Sequence, residues 1–223
     1  MVQAARRWVS GDGAAVRIEN HKLISAIPDF RPEFQADEWG GPLKPEILVI
    51  HYAVTESAGA TARVLDARQY VSCHLTIDST GRVIQQVPFD RIAYHAGKSS
   101  YRGRQDVGRF SIGIEVSNPG PLVKAADGYA TTYGKRWTGG VVEAWHKNDK
   151  GHNGWKYWAE YSQTELDLCA HIATLLKLEY GLTDVVGHDE IAPGRKSDPG
   201  PAFPMDWLRA TIFPERDTEP PPP

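Results

Sequence analysis

The segment Gly187-His188-Asp189-Glu190-Ile191-Ala192-Pro193-Gly194-Arg195-Lys196-Ser197-Asp198-Pro199-Gly200 sets a histidine and an aspartate ten positions apart in a loop punctuated by glycine and proline. A lysine, Lys196, stands two residues before the aspartate. Far upstream, the apolar run Ile47-Leu48-Val49-Ile50 ends on a second histidine, His51. Two imidazoles and one carboxylate at the ends of separate elements are the usual protein half of a catalytic zinc site, in which three side chains hold the ion and water takes the fourth position. Neutral imidazoles and one carboxylate leave such a site a net charge of about +1, which draws the pKa of bound water towards ~7. The chemistry these residues imply is metal-dependent hydrolysis.

A nucleophile made this way needs a base and a partner for the oxyanion. Glu115 lies in the alternating run Phe110-Ser111-Ile112-Gly113-Ile114-Glu115-Val116, where Ile114 and Val116 face away from it. It is the candidate base, with an edge-strand charge facing water as the plain alternative. Lys196, tied by sequence to Asp198, is the candidate oxyanion partner. Taken singly, His51 and His188 read equally as core histidines satisfying a hydrogen bond, and Asp198 before Pro-Gly as a turn residue. The combination is what points to a metal site.

These residues need strands to carry them. Glu46–Tyr52 reads as a strand buried on both faces, residues 60–69 as a helix, and 71–78 as a strand whose hairpin partner is 82–87 across Ser79-Thr80-Gly81. Ser162 and Glu165 form a capping box for a long helix with an apolar stripe (Leu166, Cys169, Ile172, Ala173, Leu176, Tyr180) that Gly181 ends. His171, beside the stripe, reads as structural. A short strand precedes His188, and residues 204–212 read as a last helix. The order of elements predicts an α/β fold, one domain with a mixed central sheet flanked by helices. Residues 1–45 form a lead-in with strands at 16–19 and 23–26, the domain proper spans 46–213, and 214–223 is a proline-rich tail expected to be disordered. Within the domain, 119–161 is a glycine- and tryptophan-rich insertion, read either as a binding loop or lid, or as an irregular loop pinned by an aromatic cluster.

Composition narrows the partners. The 223 residues suffice for one substantial core, and 41% hydrophobic with 24% charged residues is ordinary for a soluble domain. A net charge of −3 argues against nucleic acid. Cys73 and Cys169, the only cysteines, lie in apolar patterns and read as buried thiols in a reducing compartment. No apolar run of signal-peptide length follows Arg6-Arg7, and nothing approaches the ~20 apolar residues that span a bilayer. The expectation is a cytoplasmic monomer without membrane insertion.

Six ordered motifs resemble one family: Val49-Ile50-His51, Ser72-Cys73-His74-Leu75, Gly81-Arg82-Val83-Ile84-Gln85, Tyr94-His95-Ala96-Gly97, Ser111-Ile112-Gly113-Ile114-Glu115 and the 187–200 segment. Together they are similar to the zinc-dependent N-acetylmuramoyl-L-alanine amidases, from about Ile47 to Leu208. The resemblance implies Zn2+ on His51, His188 and Asp198, with Glu115 as catalytic acid/base and Lys196 on the oxyanion. It implies cleavage of the amide between the lactyl group of N-acetylmuramic acid and L-alanine, in peptidoglycan or a muropeptide. Cys73 stands where phage lysozymes of this family commonly carry tyrosine, and Asp198 where they often carry cysteine. Both departures bring the chain nearer the AmpD branch. A cysteine nucleophile at Cys73 is the alternative to a small buried residue there.

His95 and His74 sit in family motifs and are expected to line the substrate groove, His74 equally as a support for the site. Arg102, in a basic loop with Lys98, Arg104 and Arg109, is expected to meet a stem-peptide carboxylate, the alternative being a solvated loop. A non-catalytic peptidoglycan-binding module is the rival from another class. Within the enzyme reading, a phage endolysin released to the wall is the alternative to a cytoplasmic recycling enzyme.

Overall fold

The structure, a computed structural model, describes residues 16–25, 32–34, 38–148 and 154–214. The arginine pair near the N-terminus, Ala26 and the tail from residue 215 lie outside the described residues.

The chain opens with a hairpin, β1 (Val16–Glu19) and β2 (Lys22–Ser25), and a short β3 (Glu33–Phe34). β4 (Ile47–Tyr52) carries His51, and α1 (Ala58–Asp66) follows it. β5 (Leu75–Ile77) and β6 (Val83–Gln85) pair antiparallel. A ribbon of β7 (Ser100–Tyr101) and β8 (Arg104–Gln105) leads to β9 (Ser111–Val116). Next come β10 (Pro121–Ala125), β11 (Gly128–Thr131), β12 (Arg136–Trp137), β13 (Val141–Glu143) and β14 (Tyr157–Ala159). The chain continues through α2 (Gln163–Tyr180), β15 (Asp184–Gly187), the single turn α3 (His188–Ile191) and α4 (Met205–Ile212).

The central sheet runs β15-β4-β9-β5-β6-β3. Its first four strands are mutually parallel and β6 runs against β5, so the sheet is mixed and the fold α/β, as expected. Alternation divides the strands between two faces. Leu48, Ile50, Ile112 and Ile114 pack with Leu168, Cys169, Ile172 and Leu176 of α2 in the main core. Ile47 and Val49 face the other way, into a second cluster with Ala96, Val107, Phe110 and Ile191. Because both faces of β4 are covered, its sequence is a continuous apolar run.

Three local expectations shift. α1 begins at Ala58 because the Ser57 side chain caps it, accepting from the Ala60 N–H. Only Leu75–Ile77 of the 71–78 run forms a strand. Before it, Ser72 Oγ accepts from the Tyr94 N–H at 3.1 Å and His74 O from the Gln86 N–H at 2.9 Å, which draws that segment towards residues 86–94. The 119–161 insertion is not an irregular loop. It builds a second, five-stranded antiparallel sheet, β12-β11-β10-β14-β13, around the buried Trp158. The capping box of α2 is present, and Gly181 ends the helix in the left-handed region at φ 66°.

Candidate metal centre

Register fixes the site. Gly187 of β15 pairs with Ile50, which brings His188, one residue on, level with His51, and His51 itself pairs with Glu115 of β9. Three side chains thus stand in a row at the carboxyl ends of three parallel strands, where α/β sheets place their ligands. Asp198 returns to the row through the loop after α3. His51 Nδ1, His188 Nδ1 and Asp198 Oδ2 form a triangle with edges of 2.8, 2.9 and 2.9 Å. All three residues are buried, and among the described residues they are the only group of three or more His, Cys, Asp or Glu that could hold a metal ion.

The donor chemistry fits a divalent cation. His188 Nε2 lies 3.0 Å from the Ala96 carbonyl and 3.3 Å from Arg195 Nη2; the shorter contact, to a group that can only accept, places a proton on Nε2 and leaves Nδ1 free to present a lone pair. That lone pair faces a carboxylate oxygen at 2.9 Å, a contact that repels unless a cation lies between. Burial, then His188, lowers the His51 pKa to about 4, so its ring is neutral and able to ligate at pH 7.

The row opens into a cleft of about 470 Å³ lined by Tyr52, Thr55, Val64, Arg68, Glu115 and Lys196, among others. Glu115 Oε2 is buried without a hydrogen-bond partner. Burial, then Asp198, raises this carboxyl to about 8, with Lys196 pulling the other way. Tyr52, missed in the sequence, sets its hydroxyl 2.7 Å from Ser197 Oγ in the metal loop. Burial pushes the Cys73 thiol well above its usual value, with Glu115 adding to the effect, which removes the thiolate that a nucleophile needs.

Structure and expectation part over two of the three substrate residues. His74 is fully buried, and both ring nitrogens are engaged: Nδ1 accepts from the Gly113 N–H at 3.0 Å and Nε2 donates to the Arg91 carbonyl at 2.9 Å. It supports the sheet rather than lining the groove. His95, although buried, does line the cleft as expected, and its Nδ1 stands 3.0 Å from His51 Nε2. Arg102 lies at the opposite end of β15, its Nη2 3.2 Å from Asp184 Oδ2. Asp184 precedes His188 by four residues, roughly 13 Å along a strand. Arg104 likewise pairs with Glu46. Arg102 and Arg104 of the basic loop are thus drawn to carboxylates at the amino ends of the strands, away from the cleft.

Sequence reasoning also missed what holds the metal loop. Asp189, next to His188, donates its N–H to the Asp198 carbonyl at 2.7 Å. From the insertion, His146 Nε2 lies 3.0 Å from Asp189 Oδ2, Lys147 reaches Asp189 and Glu190, and Asn148 donates to the Asp189 carbonyl at 2.7 Å. Nothing in the spacing of a glycine-rich stretch signals such a grip. Arg195, adjacent to Lys196, binds the Ala96 and Lys98 carbonyls at 2.7 Å and ties the loop to the segment before β7.

Comparison with known proteins agrees with this geometry. The profile of the N-acetylmuramoyl-L-alanine amidase family matches residues 41–201. The 1,6-anhydro-N-acetylmuramyl-L-alanine amidase AmpD of Salmonella typhimurium (strain SL1344) is 36% identical over 211 residues, 86% of this chain and 88% of that protein. AmpD of Escherichia coli K12 is 32% identical over 148 residues, 66% of this chain, and the match spans 61% of that protein's length. Among solved structures, the complex of E. coli AmiD with anhydro-N-acetylmuramic acid-L-Ala-D-gamma-Glu-L-Lys has a TM-score of 0.56 at 26% identity, covering 87% of this chain and 64% of that one. With the profile covering most of the domain and a relative matched almost end to end, the chain belongs to the N-acetylmuramoyl-L-alanine amidase family.

Proposed function

We propose that this chain holds zinc through His51 Nδ1, His188 Nδ1 and Asp198 Oδ2 and hydrolyses the amide joining the lactyl group of N-acetylmuramic acid to L-alanine. The observation that carries the reading is the unpartnered, buried Oε2 of Glu115, level with the ligand triangle and facing the same cleft. A binding module gains nothing from an orphaned carboxylate, which costs stability; a hydrolase needs one. The N and O donor set suits zinc, which when bound supplies Lewis acidity to a carbonyl and to water.

The chain's own groups supply the rest. Glu115 takes the proton of the attacking water and delivers it to the departing amine of L-alanine. Its raised pKa makes it a stronger base than an exposed carboxylate and a competent acid afterwards. The Lys196 ammonium, on the cleft wall, stabilises the negative charge that develops on the carbonyl oxygen. The cleft volume is within the range of small-ligand sites, which suits a soluble muropeptide.

We take the substrate to be a soluble anhydro-muropeptide recycled in the cytoplasm. The names of the AmpD relatives and the ligand of the AmiD complex support this choice. Among the described residues, no helix is long and apolar enough to cross a membrane. Zinc-loaded protein is incubated in parallel with soluble anhydro-muropeptides and with isolated sacculi, and free stem peptide is measured. Release from the soluble substrate is expected. Release from sacculi alone would favour a wall-directed lysin, and release from neither would leave a binding module.

A further inference from the structure

Behind His51 lies a buried chain of hydrogen bonds whose proton positions follow from the acceptors at its far end. Ser111 Oγ donates its one proton to the Val107 carbonyl at 2.7 Å. Toward His95 Nε2, Ser111 therefore offers only acceptors, Oγ at 3.3 Å and the carbonyl at 3.4 Å. His95 Nε2 must carry the hydrogen. Its neutral ring then presents a lone pair at Nδ1, 3.0 Å from His51 Nε2. His51 must donate there, which leaves its own lone pair on Nδ1, the atom that meets His188 and Asp198.

The backbone is built around this ring. Ser111, Gly113 and Glu115 share one face of β9 by alternation. A Cβ on Gly113 would fall 2.6 Å from His95 Cγ and 2.7 Å from His95 Nδ1. The glycine leaves the space in which His95 lies flat between β9 and His51.

We propose that His95 is a positioning residue for the metal: with Ser111 behind it and Gly113 beneath it, it locks His51 in the tautomer and orientation that present Nδ1 to the ion. This rests on the reading that His51, His188 and Asp198 hold a metal. Ligating histidines commonly donate their other N–H to a fixed acceptor, and losing that acceptor costs about 10–100-fold in metal affinity.

The test compares two substitutions of nearly equal size. His95→Asn returns an acceptor near the position of Nδ1, whereas His95→Leu returns none. Zinc dissociation constants are read by competition with a chromophoric chelator, and the visible d–d bands of the cobalt-substituted proteins report the ligand field. The expected result is a ~10–100-fold loss of affinity and altered bands for His95→Leu, with most of the affinity kept by His95→Asn. Equal affinities and identical spectra for the two variants would overturn the inference and leave the metal site standing. A native chain that binds neither zinc nor cobalt would overturn both. Gly113→Ala keeps every hydrogen-bonding group but crowds the ring, so it tests the same lock if His95→Leu does not fold. Weaker zinc binding supports the lock, and native affinity refutes it.

Discussion

Replacing Glu115 by glutamine should do two opposite things to this protein. The fold buries Oε2 without a partner and holds the carboxyl at about 8 against an ordinary 4.5, chiefly through desolvation. Below pH 4.5 the side chain is protonated folded or unfolded and costs nothing. As pH rises from 4.5 to 8, the unfolded chain releases the proton while the folded chain retains it, so stability falls across that window and is level above it. At about 1.4 kcal/mol per unit, the native protein at pH 7 carries a penalty of up to about 3.5 kcal/mol, a ceiling because the residue keeps an edge toward the cleft. Glutamine has no charge to desolvate. Urea titrations of chelator-treated protein at pH 5, 7 and 8.5 should show the variant gaining on the native chain as pH rises. Zinc should shrink the gap, because a cation favours the carboxylate. Turnover should fall ~10²–10⁴-fold, the usual cost of losing a general base. Stability curves that run parallel from pH 5 to 8.5 would refute the argument from burial, and a variant keeping half of native kcat would move the base elsewhere.

Other substitutions separate the remaining roles. Lys196→Met should lower kcat ~10²–10³-fold with KM nearly unchanged and zinc retained, since an oxyanion partner acts on the transition state; steady-state kinetics with metal analysis decides this. A raised KM at native kcat would make Lys196 a ground-state anchor. His188→Ala should leave purified protein nearly free of zinc by elemental analysis, because it removes one corner of the ligand triangle. Arg102→Ala should leave KM for a muropeptide within about twofold of native, because this side chain pairs with Asp184 at the far end of β15.

That His51, His188 and Asp198 come together was legible in the sequence because it depends on features that sequence displays directly: strand-ending histidines and a Gly/Pro loop returning an aspartate. The sheet was legible for the same reason, as periodicity and caps are local. Roles at one remove were not. His95, His74 and Arg102 are polar residues in or near motifs, and spacing cannot say which partner each side chain meets. The partners are Ser111, Gly113 and Asp184, and these meet only when β9 and β15 flank β4. The insertion was opaque for a related reason. Its strands are short and most of its glycines lie between them, and the strand order, β12-β11-β10-β14-β13, is set by pairings that no single strand announces.

The contacts from His146, Lys147 and Asn148 to Asp189 and Glu190 make the second sheet a thermodynamic partner of the metal. An ion that draws His188 and Asp198 together fixes the turn those three residues grip, and a well-folded insertion fixes the same turn in advance of the ion. Linkage of this kind is reciprocal: whatever free energy the insertion adds to metal binding, the metal returns to the insertion. Amide exchange across β13 and β14 should therefore slow when zinc is added, although neither strand supplies a residue of the triangle. Sequence changes in this peripheral sheet thereby become a means of tuning metal retention while His51, His188, Asp198 and Glu115 stay as they are.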